Sequence, residues 1–323
     1  MWSRLLERGV VDPVPPGLRR FVADRRPDHG SVLLAAEAAH AANAARTADL
    51  LDQAGDALRT LSIAGLRVAP LKGIDALLTG RYADPAARTM TDVDLLVDPA
   101  DAARAAAVLD DLGYRTAPDA PPNSHQLPAV EAPGRAGSIE LHTHLATERW
   151  AGVVPAADAL DAASAASDGS GLRLTRTDSL THLVLHAQLH DEAHLLGRLA
   201  LRSLHETALA LEADEDVDWD VVAHRFAAAG QAAALRAHLQ QVLLLFGIEP
   251  PLALTATSRV RAQAVIALDD HPAGARLVEQ AAYLPRALSA ERMADLHGAT
   301  GPSALLRARA THLARGLRHR PTN

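Results

Sequence analysis

The sequence contains no cysteine. Disulfide frameworks, thiolate zinc sites, iron–sulfur clusters and cysteine nucleophiles are therefore excluded. Aromatic residues make up only 3% of the 323 residues, so any core must be built from Ala, Leu and Val. Abundant Ala biases ambiguous stretches towards helix. No run reaches the roughly 18–20 apolar residues of a membrane span. The opening MWSRLLERGVVDPVPPG has no apolar stretch of the signal-peptide kind. A cytoplasmic chain with no membrane partner is the expectation. There is no basic excess either. The net charge is −7, which argues against long nucleic acid as a partner. No Walker A loop, Rossmann glycine fingerprint or GxSxG elbow is present.

Lysine is almost missing. Of 32 basic residues, all but Lys72 are Arg. An ammonium and a guanidinium are not interchangeable, so the exception marks a position to watch. What is present reads as globular: 48% hydrophobic and 22% charged residues, in a chain long enough for one large or several small domains.

Residues 17–64 carry apolar side chains at helical spacing. LRVAPLKG (66–73) reads as a short buried strand, IDALLTGRY (74–82) as a helix, ADPAARTM (83–90) as a loop and TDVDLLV (91–97) as a strand. A helix follows over 98–114, with Pro99 in its first turn and Gly113 at its end. A loop covers 117–126. LPAVEA (127–132) and SIELHTHL (138–145), joined by PGRAG, predict a hairpin. Residues 151–171 read as a polar connection. Residues 175–214 read as strongly helical, with Asp178 or Thr177 as N-cap. More helices follow, ending in a basic amphipathic tail that carries Arg307, Arg309, Arg315, Arg318 and Arg320. The expected fold is α+β in three parts: an N-terminal helical segment (1–60), an α/β core (61–150) and a mostly helical C-terminal domain (151–323).

Asp92 and Asp94 lie two apart on a predicted strand, so both side chains share one face. Two such carboxylates repel, and a divalent cation between them is the simplest remedy. Glu140, on another predicted strand, can supply a third oxygen. Three carboxylates on neighbouring strands suit a pair of Mg²⁺ ions that clamp a triphosphate and activate a hydroxyl. The plainer reading makes Asp92 a strand cap and Asp94 a solvated edge residue. Lys72 and Arg88 supply charges that a triphosphate would need, and Gly73 permits close backbone approach.

LKGIDALLTGRYADPAARTMTDVDLLV, with IELHTHL downstream, resembles the DNA polymerase β-like nucleotidyltransferase superfamily. It is similar in particular to the bacterial uncharacterised nucleotidyltransferase family. Lys72, Gly73, Tyr82, Arg88, Asp92, Asp94, Leu95, Leu96, Val97, Glu140 and His142 fall on that pattern. The resemblance implies a small mixed sheet with flanking helices. It implies Mg²⁺, with Mn²⁺ as the substitute ion, and transfer of a nucleoside monophosphate from NTP to an acceptor hydroxyl with loss of pyrophosphate. Asp92, Asp94 and Glu140 would hold the metal. Lys72, Gly73 and Arg88 would handle the phosphates, and His142 completes the pattern. The acceptor is a small molecule, a peptide or an RNA end. The chain departs from the wider superfamily in having Ile74 where a second small residue follows the glycine.

Sixteen histidines are many for this length. His182, His186, His190 and His194 repeat every four residues, which spreads them over about 120° of one helix face. That face is expected to line the cleft beside the sheet, with His186 and His190 near nucleotide or acceptor. HDEAH (190–194) lacks the Glu placement of either zincin pattern. His186, His190 and Asp191 raise a second reading, a metal-dependent phosphohydrolase. A third is a nucleotide-binding or interaction module without turnover.

Overall fold

The computed structural model describes residues 30–116, 125–213, 216–269 and 301–318, with short stretches at 271, 274–275, 277–278 and 281. By contacts the chain divides into two units. The larger comprises Met1–Asp191 and Ala200–Gln263, the smaller Glu192–Leu199 and Ala264–Asn323.

The larger unit is a mixed α+β assembly. A long helix, α1 (Gly30–Ile63), precedes strand β1 (Val68–Pro70) and the short helix α2 (Lys72–Leu78). A 3₁₀ turn (Pro85–Ala87) leads to β2 (Asp92–Val97). Helix α3 (Ala102–Asp111) follows, then β3 (Arg115–Thr116), β4 (Val130–Glu131) and β5 (Ser138–His142). The sheet order is β1-β2-β5-β4-β3, with β2 and β5 parallel and the other pairs antiparallel. The expected hairpin is present, with Val130 opposite Ile139. Its turn needs Gly137, because a Cβ there would lie 2.4 Å from the Thr91 carbonyl oxygen.

Alternation along β2 decides what each face buries. Val93, Leu95 and Val97, with Ile139 and Leu141 of β5, enter one apolar cluster with Leu50, Leu58 and Leu61 of α1 and Leu109 of α3. Leu96 points the other way. It joins Leu145, Val184, Leu185, Phe226 and Leu239 in a second cluster. The sheet is thus covered on both faces, and Asp92 and Asp94 share the face of Leu96.

The second cover is helical. It comprises α4 (Ala156–Ala162), α5 (Arg176–Leu185), α7 (Leu201–Glu212), α8 (Trp219–Ala228) and α9 (Ala232–Phe246), followed by α10 (Ala256–Asp269). The stretch read as a polar connection in fact holds α4 and a small hairpin, β6 (Ser164–Ala165) with β7 (Leu172–Arg173). Turn residues Asp168–Gly169 explain the hairpin, with Gly169 at φ +71°. The N-cap of α5 is Thr175 rather than Asp178 or Thr177. Its hydroxyl accepts the Asp178 N–H at 3.0 Å and donates to the Asp178 carboxylate at 2.7 Å, a reciprocal cap.

The helix expected over 175–214 is interrupted. After Leu185 the backbone forms a π turn over His186–His190, closed by Asp191 N–H donating to the His186 carbonyl at 2.8 Å. Glu192 then takes a left-handed conformation, φ +61°. In the smaller unit, α6 (Ala193–Leu196) ends at Gly197, φ +63°, and α11 spans Pro302–Arg318. Arg315 and Arg318 have no described side chain, and Arg320 lies outside the described residues. So does most of the loop expected at 117–126. Among the described residues no helix is long and apolar enough to cross a membrane.

Candidate active site

The parallel register of β2 and β5 places Asp94 beside Glu140, Asp92 beside Ser138 and Leu96 beside His142. Paired residues of parallel strands project to the same face, so Asp92, Asp94, Glu140 and His142 converge there. Asp94, Glu140 and His142 each offer a ligand atom within 4.8 Å of the others. His142 is fully buried; its Nε2 lies 2.6 Å from Asp94 Oδ1 and 3.7 Å from Glu140 Oε2. Gln126, bridged to His142 through the backbone, donates its amide to Glu140 Oε2 at 2.8 Å.

Lys72 reaches the same oxygen of Asp94, Nζ to Oδ1 at 2.9 Å. It does so from a left-handed backbone, φ +50°, a conformation that costs a non-glycine residue about 1–2 kcal/mol. The loop is fixed there by Leu71, whose N–H donates to the Asp94 carbonyl at 2.9 Å. Burial works to raise the Asp94 carboxyl, but Lys72 and His142 outweigh it and hold the group ionised, well below the usual carboxylate range. Asp92 goes the other way. Burial first, and then the neighbouring Asp94 charge, raise it. One carboxylate is thus fixed as an anion, and the next lacks compensation that a cation would provide.

The other two phosphate-handling candidates have a different setting. The positive φ falls on Lys72 and not on Gly73. Gly73 is needed for packing, since a Cβ there would come 2.3 Å from Met90 Sδ and 3.1 Å from Arg88 Cζ. Arg88 is buried. Its Nε donates to Glu206 Oε1 on α7 at 2.6 Å and its Nη1 to the Thr89 carbonyl at 2.6 Å. Tyr82 donates to the same Glu206 oxygen at 3.2 Å. The structure brings together Lys72, Asp92, Asp94, Glu140 and His142, and keeps Arg88 in a sealed pair beside them.

The chain matches the family model described as uncharacterised nucleotidyltransferase over residues 7–247. It belongs to that family. No curated protein and no solved structure matches. Membership supports transfer of nucleotidyl groups from NTP as the general activity. The matched span takes in the sheet, the carboxylates and helices α4 to α9.

In this member of the family the histidine stripe is real in part. His182 is buried on α5, and its ring stands edge-on to His186 with centroids 5.8 Å apart. His186 stacks on His190 at 4.4 Å. His194 lies past the break, on α6. His125 and Gln126 are site neighbours that sequence reasoning passed over as loop. The His125 ring sits between His142, centroids 5.4 Å apart, and His190, 4.5 Å apart. Burial, with the neighbouring histidines, pushes His125 down to about 3 and His190 down to about 4. Burial also takes His182 well below its ordinary value. These rings are neutral near pH 7, with lone pairs free to accept a hydrogen bond or a metal.

Proposed function

We propose that this nucleotidyltransferase moves a nucleoside monophosphate from an NTP to an acceptor hydroxyl at Asp92, Asp94 and Glu140, in a polymerase β-like arrangement that uses Mg²⁺, or Mn²⁺ in its place. The observation that carries the reading is the parallel pairing of Asp94 with Glu140, with Asp92 on the same face. The donor chemistry fits Mg²⁺, which takes hard oxygen ligands. It also fits the raised Asp92 carboxyl, since a cation would relieve the repulsion from Asp94. Imidazole is a poor Mg²⁺ ligand, and His142 serves to hold Asp94 in place.

The acceptor oxygen attacks the α-phosphorus, the bond to the β-phosphate bridging oxygen breaks, and pyrophosphate leaves. The acceptor proton passes to Glu140 or to solvent. A bound cation would neutralise charge on the phosphates as that bond breaks. Lys72 keeps Asp94 ionised and brings a positive charge to the triphosphate. Arg88 and Gly73 act one step back, packed beneath the Lys72 turn and the segment leading into β2. The acidic net charge favours a small molecule or peptide over a long RNA as acceptor.

The test is pyrophosphate release from each NTP with Mg²⁺ across a panel of hydroxyl-bearing small molecules, peptides and RNA ends. Release with one acceptor class, abolished in Asp94→Asn, is the expected result. Release that persists in Asp94→Asn overturns the site. NTP binding with no release from any acceptor leaves a nucleotide-binding module in place of an enzyme.

A further inference from the structure

Three potential ligands lie within six residues, at His186, His190 and Asp191. Each offers an atom within 4.8 Å of the others. In an α-helix, residue i+5 lies about 140° round from residue i, away from the face that i and i+4 share. Here the turn is wound as a π-helix, with the i→i+5 bond made by Asp191 N–H to the His186 carbonyl at 2.8 Å. That winding returns Asp191 to the face of the two histidines. Its carboxylate Oδ2 lies 3.2 Å from His186 Nδ1. This separation is close to the edge of a tetrahedron with metal–ligand bonds of about 2.0–2.1 Å.

The arrangement is held at a cost. π turns are rare and concentrate at functional sites. Glu192, which follows directly, is a non-glycine residue at positive φ. The Nδ1 atoms of His190 and of the adjoining His125 are buried and have no hydrogen-bond partner among the described residues. Leaving a buried polar group of this kind without a partner is costly.

We propose that His186, His190 and Asp191 form a metal site separate from the carboxylates of the sheet, taking a borderline divalent ion of the Zn²⁺ class. Two imidazoles and one carboxylate make a nitrogen-rich set suited to that class and poorly suited to Mg²⁺. Three protein ligands leave a fourth position for water or a substrate oxygen, as in catalytic rather than structural zinc sites. The site does not depend on the function proposed above.

The experiment is equilibrium dialysis of the full chain against Zn²⁺, with Co²⁺ as a spectroscopic probe. Four proteins are compared: wild type, Asp92→Asn/Asp94→Asn, His186→Gln and Asp191→Asn. Asp191 is exposed, so its substitution keeps the test valid if His186→Gln fails to fold. The expected result is one tightly held Zn²⁺, and a Co²⁺ visible band of a histidine-ligated low-coordinate ion, in wild type and in the double variant alike. His186→Gln and Asp191→Asn should weaken binding by more than about 100-fold, since even outer-shell partners are worth 10–100-fold. No tight Zn²⁺ in wild type overturns the site. So does binding that disappears in Asp92→Asn/Asp94→Asn and survives in the other two, which would place the ion on the sheet.

Discussion

Lys72 meets Asp94 at 2.9 Å and Arg88 meets Glu206 at 2.6 Å, yet the two pairs keep different company. The Lys72 side chain is 22% exposed, and Asp94 lies among Asp92, Glu140 and His142 on one face of the sheet. Arg88 and Glu206 are 8% and 1% exposed, and Tyr82 caps the pair. A compact ammonium on a reachable carboxylate can be displaced or shared when a cation and phosphates arrive. A guanidinium sealed against a buried carboxylate cannot leave without stranding a charge. Under the proposed function, two cations that look equivalent along the chain are divided between the reaction and the scaffold.

The comparison can be broken first at Asp94. Under the proposed mechanism, replacing it by Asn removes a ligand whose metal would supply several kcal/mol of transition-state stabilisation. The expected loss is about a thousandfold or more in turnover, with the protein still folded by circular dichroism. Next comes Arg88. Arg88→Met should lower unfolding free energy by about 3–5 kcal/mol in a denaturant titration, because the buried Glu206 loses its guanidinium partner and keeps only the Tyr82 hydroxyl. Arg88→Met/Glu206→Leu should recover much of that loss. Lys72→Met should do the reverse, costing NTP affinity far more than stability. An Arg88→Met protein of normal stability with weakened NTP binding would mean that Arg88 belongs with the phosphates.

Gly73→Ala sharpens the boundary between the two pairs. Its Cβ would press on Met90 and Arg88, and the expected cost is about 1–3 kcal/mol in thermal or chemical denaturation. An effect confined to acid concerns a polar group sealed even more completely. His238 is fully buried on α9, with Gln188 against Nδ1 at 3.1 Å and Thr207 against Nε2 at 2.9 Å. Burial pushes it down to about 3, below the 6.5 of the unfolded chain. Between those values the unfolded state binds the extra proton. Stability is therefore full above about pH 6.5 and falls as pH drops towards 3, by up to about 1.4 kcal/mol per pH unit from this residue. His238→Gln should flatten that acid limb in denaturation curves at stepped pH.

Much of this was legible along the chain. Strand alternation alone put Asp92 and Asp94 on one face, and the hairpin at PGRAG delivered Glu140 and His142 to the neighbouring strand. Arg88 was not legible, because its partner lies 118 residues away and no spacing links them. The histidine stripe misled in a specific way. A repeat of four predicts one face of a regular helix, whereas the π turn carries Asp191 onto that face, and the break that follows puts His194 on a separate helix. His125 and Gln126 left almost no signal, since a loop has no period from which to read direction.

The measurement that bears most directly on the carboxylate site is calorimetric titration of the four NTPs, with Mg²⁺ and without, into wild type and Asp92→Asn/Asp94→Asn. Mg²⁺-dependent binding of at least one NTP, lost in the double variant, is the predicted result and requires no knowledge of the acceptor. NTP binding that ignores Mg²⁺, or that survives the double substitution, would contradict the assignment of these carboxylates.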